Sequence, residues 1–178
     1  MSSSQSIDHH YTALIRADGN GAATLFFRDR RYPASIGPAP VTRHKREGDH
    51  ATPVGTLPIR RVFYRADRTA RPETRQDMPV EPLGPNDGWC DDPSHEDYNT
   101  LVTLPHPARC ETFWRDDASY DIVASLGWND DPVVPGNGSA IFLHLPTRSG
   151  VTEGCIALAE PDLRAVLAAG LVKLVVQD

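Results

Sequence analysis

Apolar residues in this chain come in short bursts separated by turn-forming residues, not in long amphipathic stretches. Segments of β-branched or aromatic character occur at Tyr11–Arg16, Ala23–Phe27, Leu57–Tyr64, Thr100–Leu104, Tyr120–Leu126, Ser139–Leu145, Cys155–Ala159 and Leu171–Val176, and each has strand length. Sixteen prolines and thirteen glycines are scattered between them, as frequent turns require. The pattern predicts a mainly β fold, either a β-sandwich or an open barrel. A single stretch reads as helix, "AEPDLRAVLAAG" near the C-terminus, with Glu160, Pro161 and Asp162 in its first turn and Gly170 as C-cap. Leu163, Val166 and Leu167 then share one face. The polar, proline-rich run from Arg65 to Pro85 is expected to be a long surface loop.

Length changes the picture little: 178 residues fit one domain covering positions 1–178, with enough material for a continuous core. The net charge of −6 argues against a nucleic-acid binder, which needs a basic face. No basic amphipathic helix and no apolar run of membrane-spanning length is present, so no membrane partner is expected. The opening "MSSSQSIDHHYTALIR" lacks the charged and apolar parts of an export signal, and a cytoplasmic monomer is the expectation. Three cysteines with no repeated spacing make no disulfide framework. No cofactor is implied and no metal site is expected. His9 and His10 read as tail, and His44 and His50 sit in a polar loop without cysteine spacing.

The chemistry concentrates in "SAIFLHLPTRSGVTEGCIAL", where His144 ends an apolar run and Cys155 follows a glycine. A thiol reacts as its thiolate, and a neighbouring imidazole can take the proton. The loop between them can return the chain so that Cys155 opens a strand adjacent to that of His144. Gly154 lets the backbone approach a substrate, and the N–H groups of Gly154 and Cys155 are candidate oxyanion donors. The plainer alternative is that Cys155 is a small buried hydrophobe at the start of a strand. Cys90 and Cys110 read as structural or incidental because no histidine has an evident return path to them.

These residues resemble the catalytic domain of the bacterial L,D-transpeptidases. That family has a histidine, a loop, and then [Ser/Thr]-His-Gly-Cys followed by an apolar residue; here stand His144 and then Thr152, Glu153, Gly154, Cys155 and Ile156. A second family feature, Thr-Pro-x-Gly leading into a strand, matches Thr52, Pro53 and Gly55. The resemblance runs from about Thr52 to Leu158. Glu153 replaces the family's second histidine, and Ala157 stands where asparagine or arginine often follows. The likeness is stronger to small, unexported relatives than to periplasmic enzymes.

The resemblance implies a peptidoglycan tetrapeptide or muropeptide substrate, cut at the L,D-amide before the terminal D-alanine. Cys155 is then the nucleophile, expected to be the most reactive of the three thiols, and His144 the base. Water as acceptor makes an L,D-carboxypeptidase and an amine makes a transpeptidase; the short loop and the changes at Glu153 and Ala157 favour water. An idle muropeptide-binding module is the alternative of another class. Arg115 and Arg148 are the candidates for a ligand carboxylate, since an arginine fork binds both oxygens. "GWCDDP" and "WRDDASYD" supply Trp89, Asp91 and Tyr120 as further candidate contacts, although Trp89 and Trp114 can equally cap the core.

Overall fold

The computed structural model describes residues 10–178; of the sequence expectations, that for His9 lies outside them. Among the described residues, fourteen strands and one helix follow in order. They are β1 (Thr12–Gly19), β2 (Ala22–Phe27), β3 (Arg30–Ser35), β4 (Ala39–Thr42), β5 (Ala51–Pro53), β6 (Gly55–Tyr64), β7 (Val80–Pro82), β8 (Asp87–Cys90), β9 (Leu101–Thr103), β10 (Cys110–Thr112), β11 (Ile122–Leu126), β12 (Phe142–His144), β13 (Ile156–Leu158), α1 (Glu160–Ala168) and β14 (Lys173–Val176).

The largest sheet has nine strands in the order β11-β12-β13-β3-β2-β1-β14-β6-β7, and β11 also pairs with β6. That extra pairing closes all but β7 into a mixed barrel, parallel at β1/β14 and β12/β13 and antiparallel elsewhere around the ring. Closure removes the free edges that an open sheet would expose. The mainly β fold with one short C-terminal helix is the one expected.

Period-two alternation sorts the side chains. Ala13 and Ile15 of β1, Ala23, Leu25 and Phe27 of β2, Leu143 of β12, and Ile156 and Leu158 of β13 fill the aliphatic interior. On β6 the inward phase changes from Leu57 and Ile59 to Val62, because the register with β11 shifts between Ser125 and Leu126; such a bulge passes one extra residue. Helix α1 has no side-chain N-cap but carries a proline in its first turn. It places Leu163, Val166 and Leu167 in the same interior cluster. Gly170, at φ +93°, ends it, with Leu171 N–H donating to Val166 O at 3.0 Å.

A second, aromatic cluster lies on the other face of the β6-β11-β12 wall. Phe63, Val123 and Phe142 point there, alternating with the inward Val62, Ile122 and Leu143. A small sheet, β10-β8-β9, covers it and contributes Trp89; Phe113, just after β10, joins it. The segment Thr100–Leu104 thus forms a strand of this cap and not of the barrel.

Besides the short strands β4, β5, β8 and β10, none of which lies in an expected segment, two segments differ from the sequence expectation. Strand β3, "RRYPAS", is polar and contains Pro33, yet it joins the barrel. Its pairing with β13 uses Ala34 and Ser35 alone, so Pro33 has no ladder on that side to interrupt. The run from Arg65 to Pro85 is not simply a surface loop, since β7 pairs in parallel with β6. Arg65 is buried, bound to Asp67 at 2.7 Å and to Arg115 O at 2.9 Å, with its guanidinium 3.6 Å from the Trp114 ring centroid.

Candidate active site

His144 and Cys155 come together through the parallel pair β12/β13, with Leu143 opposite Ile156 and His144 opposite Ala157. The chain between them therefore crosses over instead of forming a hairpin, as parallel neighbours require. This register sets Cys155 level with Phe142. Because Leu143 and Ile156 face the barrel interior, Phe142, His144 and Cys155 share the outward face. The Phe142 N–H donates to Cys155 Sγ at 3.3 Å, and the thiol donates to Ala140 O at 3.1 Å.

The turn before the cysteine is held by Thr152. Its Oγ1 donates to Cys155 O at 2.6 Å and accepts the Gly154 N–H at 3.2 Å. Gly154 N–H is thus engaged and is not the oxyanion donor the sequence suggested; the Cys155 N–H is the other group named for that role. Gly154 has φ +131°, and a Cβ there would lie 2.9 Å from Ala51 O, so only glycine fits. The Thr52-Pro53 motif is the support beneath this turn. Thr52 Oγ1 accepts the Gly37 N–H at 3.0 Å, and a Cβ on Gly37 would meet His50 O at 2.1 Å and Gly154 Cα at 3.2 Å.

His144 is buried, and its Nδ1 lies 2.6 Å from Leu145 O. A carbonyl only accepts, so Nδ1 carries the proton and Nε2 keeps its lone pair. The ring packs edge-on against Tyr120 at 5.2 Å, and Leu145 N–H is itself fixed by Ser119 O at 3.0 Å. Burial pushes the imidazole down to about 4, against the pull of the Leu145 carbonyl. Burial, aided by the charge of Glu111, pushes the Cys155 thiol up to about 12. No hydrogen bond joins the two groups. Burial thus disfavours the charged form of both groups in the ligand-free site, and no neighbouring charge offsets it at the thiol as strongly as the sequence reading of an activated pair implies.

Both residues line one cavity of about 410 Å³. Arg115, Asp91 and Tyr120 line it too, whereas Trp89 and Arg148 do not. Trp89 instead caps the aromatic cluster, 5.2 Å from the Phe142 ring, with Nε1 donating to Asn99 Oδ1 at 3.0 Å. Arg148 lies on the exposed crossover loop. Arg115 is already committed to Asp117 through Nε at 3.1 Å and Nη2 at 2.8 Å, and its Nη1 lies 3.9 Å from Glu111 Oε1. Tyr120 turns its hydroxyl to Glu111.

Lys45, Glu47, Glu111 and Ser139 also line the cavity, and sequence reasoning missed them. Lys45 is buried, donates to Arg46 O at 3.0 Å and pairs with Asp49. Glu47 accepts from Ser139 Oγ at 2.7 Å and from Tyr98. Burial raises the Glu111 carboxyl, opposed by the Tyr120 hydroxyl and the Arg115 charge. None of the four belongs to a spaced motif, because they arrive from separate loops and from the cap.

The family profile of YkuD, the L,D-transpeptidase catalytic domain, matches residues 6–176. No curated relative matches the chain. Among solved structures it is similar to L,D-transpeptidase 1 of Mycobacterium tuberculosis, with a TM-score of 0.39 and 13% identity over 93% of this chain and 60% of that one. The chain therefore spans about 60% of the length of that protein. With the profile covering nearly every residue from the N-terminal region to the last strand, the chain belongs to the L,D-transpeptidase catalytic domain family, a family of cysteine enzymes that act on peptidoglycan stems.

Proposed function

We propose that this protein carries out cysteine-dependent acyl transfer on peptidoglycan tetrapeptide stems, with water as the preferred acceptor. The observation that carries the reading is the shared cavity: Cys155 Sγ and His144 open into one space, with the imidazole held by Leu145 O in the tautomer that accepts a proton at Nε2. With burial disfavouring the charge on each group, proton transfer accompanies attack. As Sγ bonds to the carbonyl carbon of the L,D-amide, its proton passes to His144 Nε2. The Cys155 N–H receives the developing oxyanion. The C–N bond then breaks, and His144 returns the proton to the departing D-alanine amine. Water next attacks the thioester, giving the tripeptide and restoring the thiol.

The cavity charges suit an extended stem with both carboxylate and ammonium groups. Arg115 Nη1 and Lys45 offer positive charge, and Asp91 and Glu153 offer negative charge. Hydrolysis is favoured because the Leu145–Gly154 crossover carries no strand or helix that would wall a second cleft for an amine. Glu153 also lines the cavity, and its carboxylate is the group we assign to accept a proton from the attacking water.

The test is mass spectrometry of the protein mixed with a disaccharide tetrapeptide, with and without excess D-amino acid. A transient adduct on Cys155, tripeptide and free D-alanine are expected. Mainly exchanged or cross-linked product would assign an amine acceptor instead. Binding without an adduct or turnover would make the protein an idle muropeptide-binding module.

A further inference from the structure

The cap sheet carries a second cluster of thiols and imidazoles, outside the cavity and unused by the chemistry at Cys155. Strands β8 and β10 run antiparallel with Cys90 opposite Cys110. Asp91 N–H donates to Arg109 O at 3.2 Å, which makes 91/109 a hydrogen-bonded pair and Cys90/Cys110 a non-hydrogen-bonded one, where facing side chains come closest. Both are free cysteines. By alternation they occupy the face opposite Trp89 and Glu111, so the cluster backs the wall that Glu111 presents to the cavity.

The chain between β9 and β10 lays His106 over this pair. Cys110 Sγ is 3.5 Å from His106 Nδ1, and the ligand atoms of Cys90, His106 and Cys110 all lie within 4.8 Å of one another. Ala108 N–H donates to His106 Nδ1 at 3.2 Å, so that nitrogen is unprotonated, and a cation held in the cluster takes its lone pair in place of that N–H. The opposite nitrogen, Nε2, faces Asp97 Oδ2 at 3.2 Å. On the other side of Asp97, His95 Nδ1 lies 3.5 Å from the same oxygen.

We propose that Cys90, Cys110 and His106 form a binding site for a zinc-like divalent cation, with Asp97 orienting the histidine from behind. Zinc–sulfur and zinc–nitrogen bonds of about 2.3 and 2.0–2.1 Å at a tetrahedral angle place S and N about 3.5 Å apart, the separation found here between Cys110 and His106. A carboxylate behind the ligating imidazole is the usual outer partner of such a site. A disulfide between the two cysteines would leave the His106–Asp97 arrangement without a role. On binding, two Zn–S bonds form and two thiol protons pass to solvent, and water takes the fourth position. The benefit is local. Strands β8, β9 and β10 are each three or four residues long, too short for an isolated sheet to hold itself together, and this sheet carries Glu111 to the cavity.

The experiment uses the full chain with Cys155→Ser, so that the third thiol does not contribute. The reduced protein is stripped with a chelator, titrated with zinc chloride, and assayed by elemental analysis and thiol titration. One zinc per chain and the masking of both remaining thiols are expected. Cys110→Ser and His106→Ala should each weaken binding at least about a hundredfold, whereas His95→Ala keeps one zinc per chain. Cobalt(II) added to the stripped Cys155→Ser chain should give thiolate-to-metal charge-transfer absorption, a readout that needs no ligand variant to fold. The proposal fails if no zinc is retained at micromolar concentration, if Cys90 and Cys110 reoxidise to a disulfide while zinc is present, or if Cys110→Ser and His106→Ala bind zinc as well as the parent.

Discussion

The inside and the outside of one barrel wall are made by neighbouring residues of the same strands, yet they do different work. Inward go Val62, Ile122, Ala124 and Leu143, into an aliphatic cluster to which strands around the ring and helix α1 contribute. Outward go Phe63, Val123 and Phe142, into an aromatic cluster that includes Cys155. The outer rings meet edge to face, Phe113 with Phe142 at 5.3 Å and Trp89 with Phe142 at 5.2 Å, a preferred aromatic geometry. The inner face supplies cohesion and fixes the β12/β13 register; the outer face supplies the dry backing that disfavours charge on both His144 and Cys155.

The largest expected break in this comparison is Cys155→Ser. A serine hydroxyl can still accept from Phe142 N–H and donate to Ala140 O, as the thiol does, so the melting temperature should move little. Turnover of tetrapeptide should fall below detection, by at least about a thousandfold, because a serine with a neutral, weakly basic imidazole is a poor nucleophile. The parent thiol, in turn, should alkylate slowly at neutral pH. With its pKa pushed up to about 12, its rate should climb about tenfold per pH unit through pH 9 and 10. A plateau near pH 7 would show an activated pair instead.

Next in size is His144→Ala, expected to lower turnover about a hundredfold, the scale of a lost general acid–base. The same histidine sets a pH dependence of stability. Its folded pKa of about 4 lies below the ordinary 6.5, so the neutral form is favoured by folding. Its contribution is complete above pH 6.5 and is lost as pH falls through about 4, up to about 3 kcal/mol. Denaturant unfolding between pH 7 and 4 should be flatter in His144→Ala than in the parent by that amount. Equal slopes would mean that the imidazole is not buried neutral.

Smaller for chemistry but large for stability is Leu143→Ala, one position along the same strand. Leu143 is fully buried in the interior, and such a truncation costs about 2–5 kcal/mol. Turnover by the fraction still folded should be near that of the parent. Phe142→Leu is the counterpart on the outer face and should lower both stability and turnover, since Phe142 touches Tyr120 and Trp89 and its N–H meets Cys155 Sγ. If Leu143→Ala cut turnover of the folded protein as deeply as Phe142→Leu did, the two faces would not be separable.

This division also explains how much the sequence disclosed. Strands of the barrel announce themselves because alternation is imposed by a dry interior, and all eight apolar segments chosen on that basis contain strands, seven of the ring and β9 of the cap. Strand β3 stayed hidden because its pairing is partly at an edge and tolerates Arg30, Arg31 and Pro33. At the site, the crossover motif disclosed Cys155, His144 and Gly154, since a turn with φ +131° leaves room for glycine alone. Lys45, Glu47 and Glu111 stayed hidden because nothing periodic places them; they converge only when the cap sheet and the loop before β5 fold over the wall. The cluster of Cys90, His106 and Cys110 was hidden for a related reason: Cys90 and Cys110 become neighbours through the cap's register, and the loop before β10 sets His106 against Cys110.

The smallest expected effect separates the two arginines that the sequence offered for a ligand carboxylate. Arg115 lines the cavity with part of its guanidinium held by Asp117 at 2.8 Å and Nη1 turned toward Glu111, whereas Arg148 lies outside the lining. Arg115→Ala should weaken tetrapeptide binding by about tenfold, at the low end for a charge-assisted hydrogen bond, because Asp117 already competes for the fork. Arg115→Lys should not restore it, since an ammonium cannot serve Asp117 and a ligand in one plane. Arg148→Ala should leave affinity within about twofold. Calorimetric titration of the catalytically inert Cys155→Ser chain with tetrapeptide, and with the same peptide amidated at its C-terminus, reads both arginines without interference from turnover. Amidation should erase the difference between the parent and Arg115→Ala. A difference that survives amidation would mean that Arg115 acts by holding Tyr120 and Glu111 in place, not by meeting a ligand carboxylate.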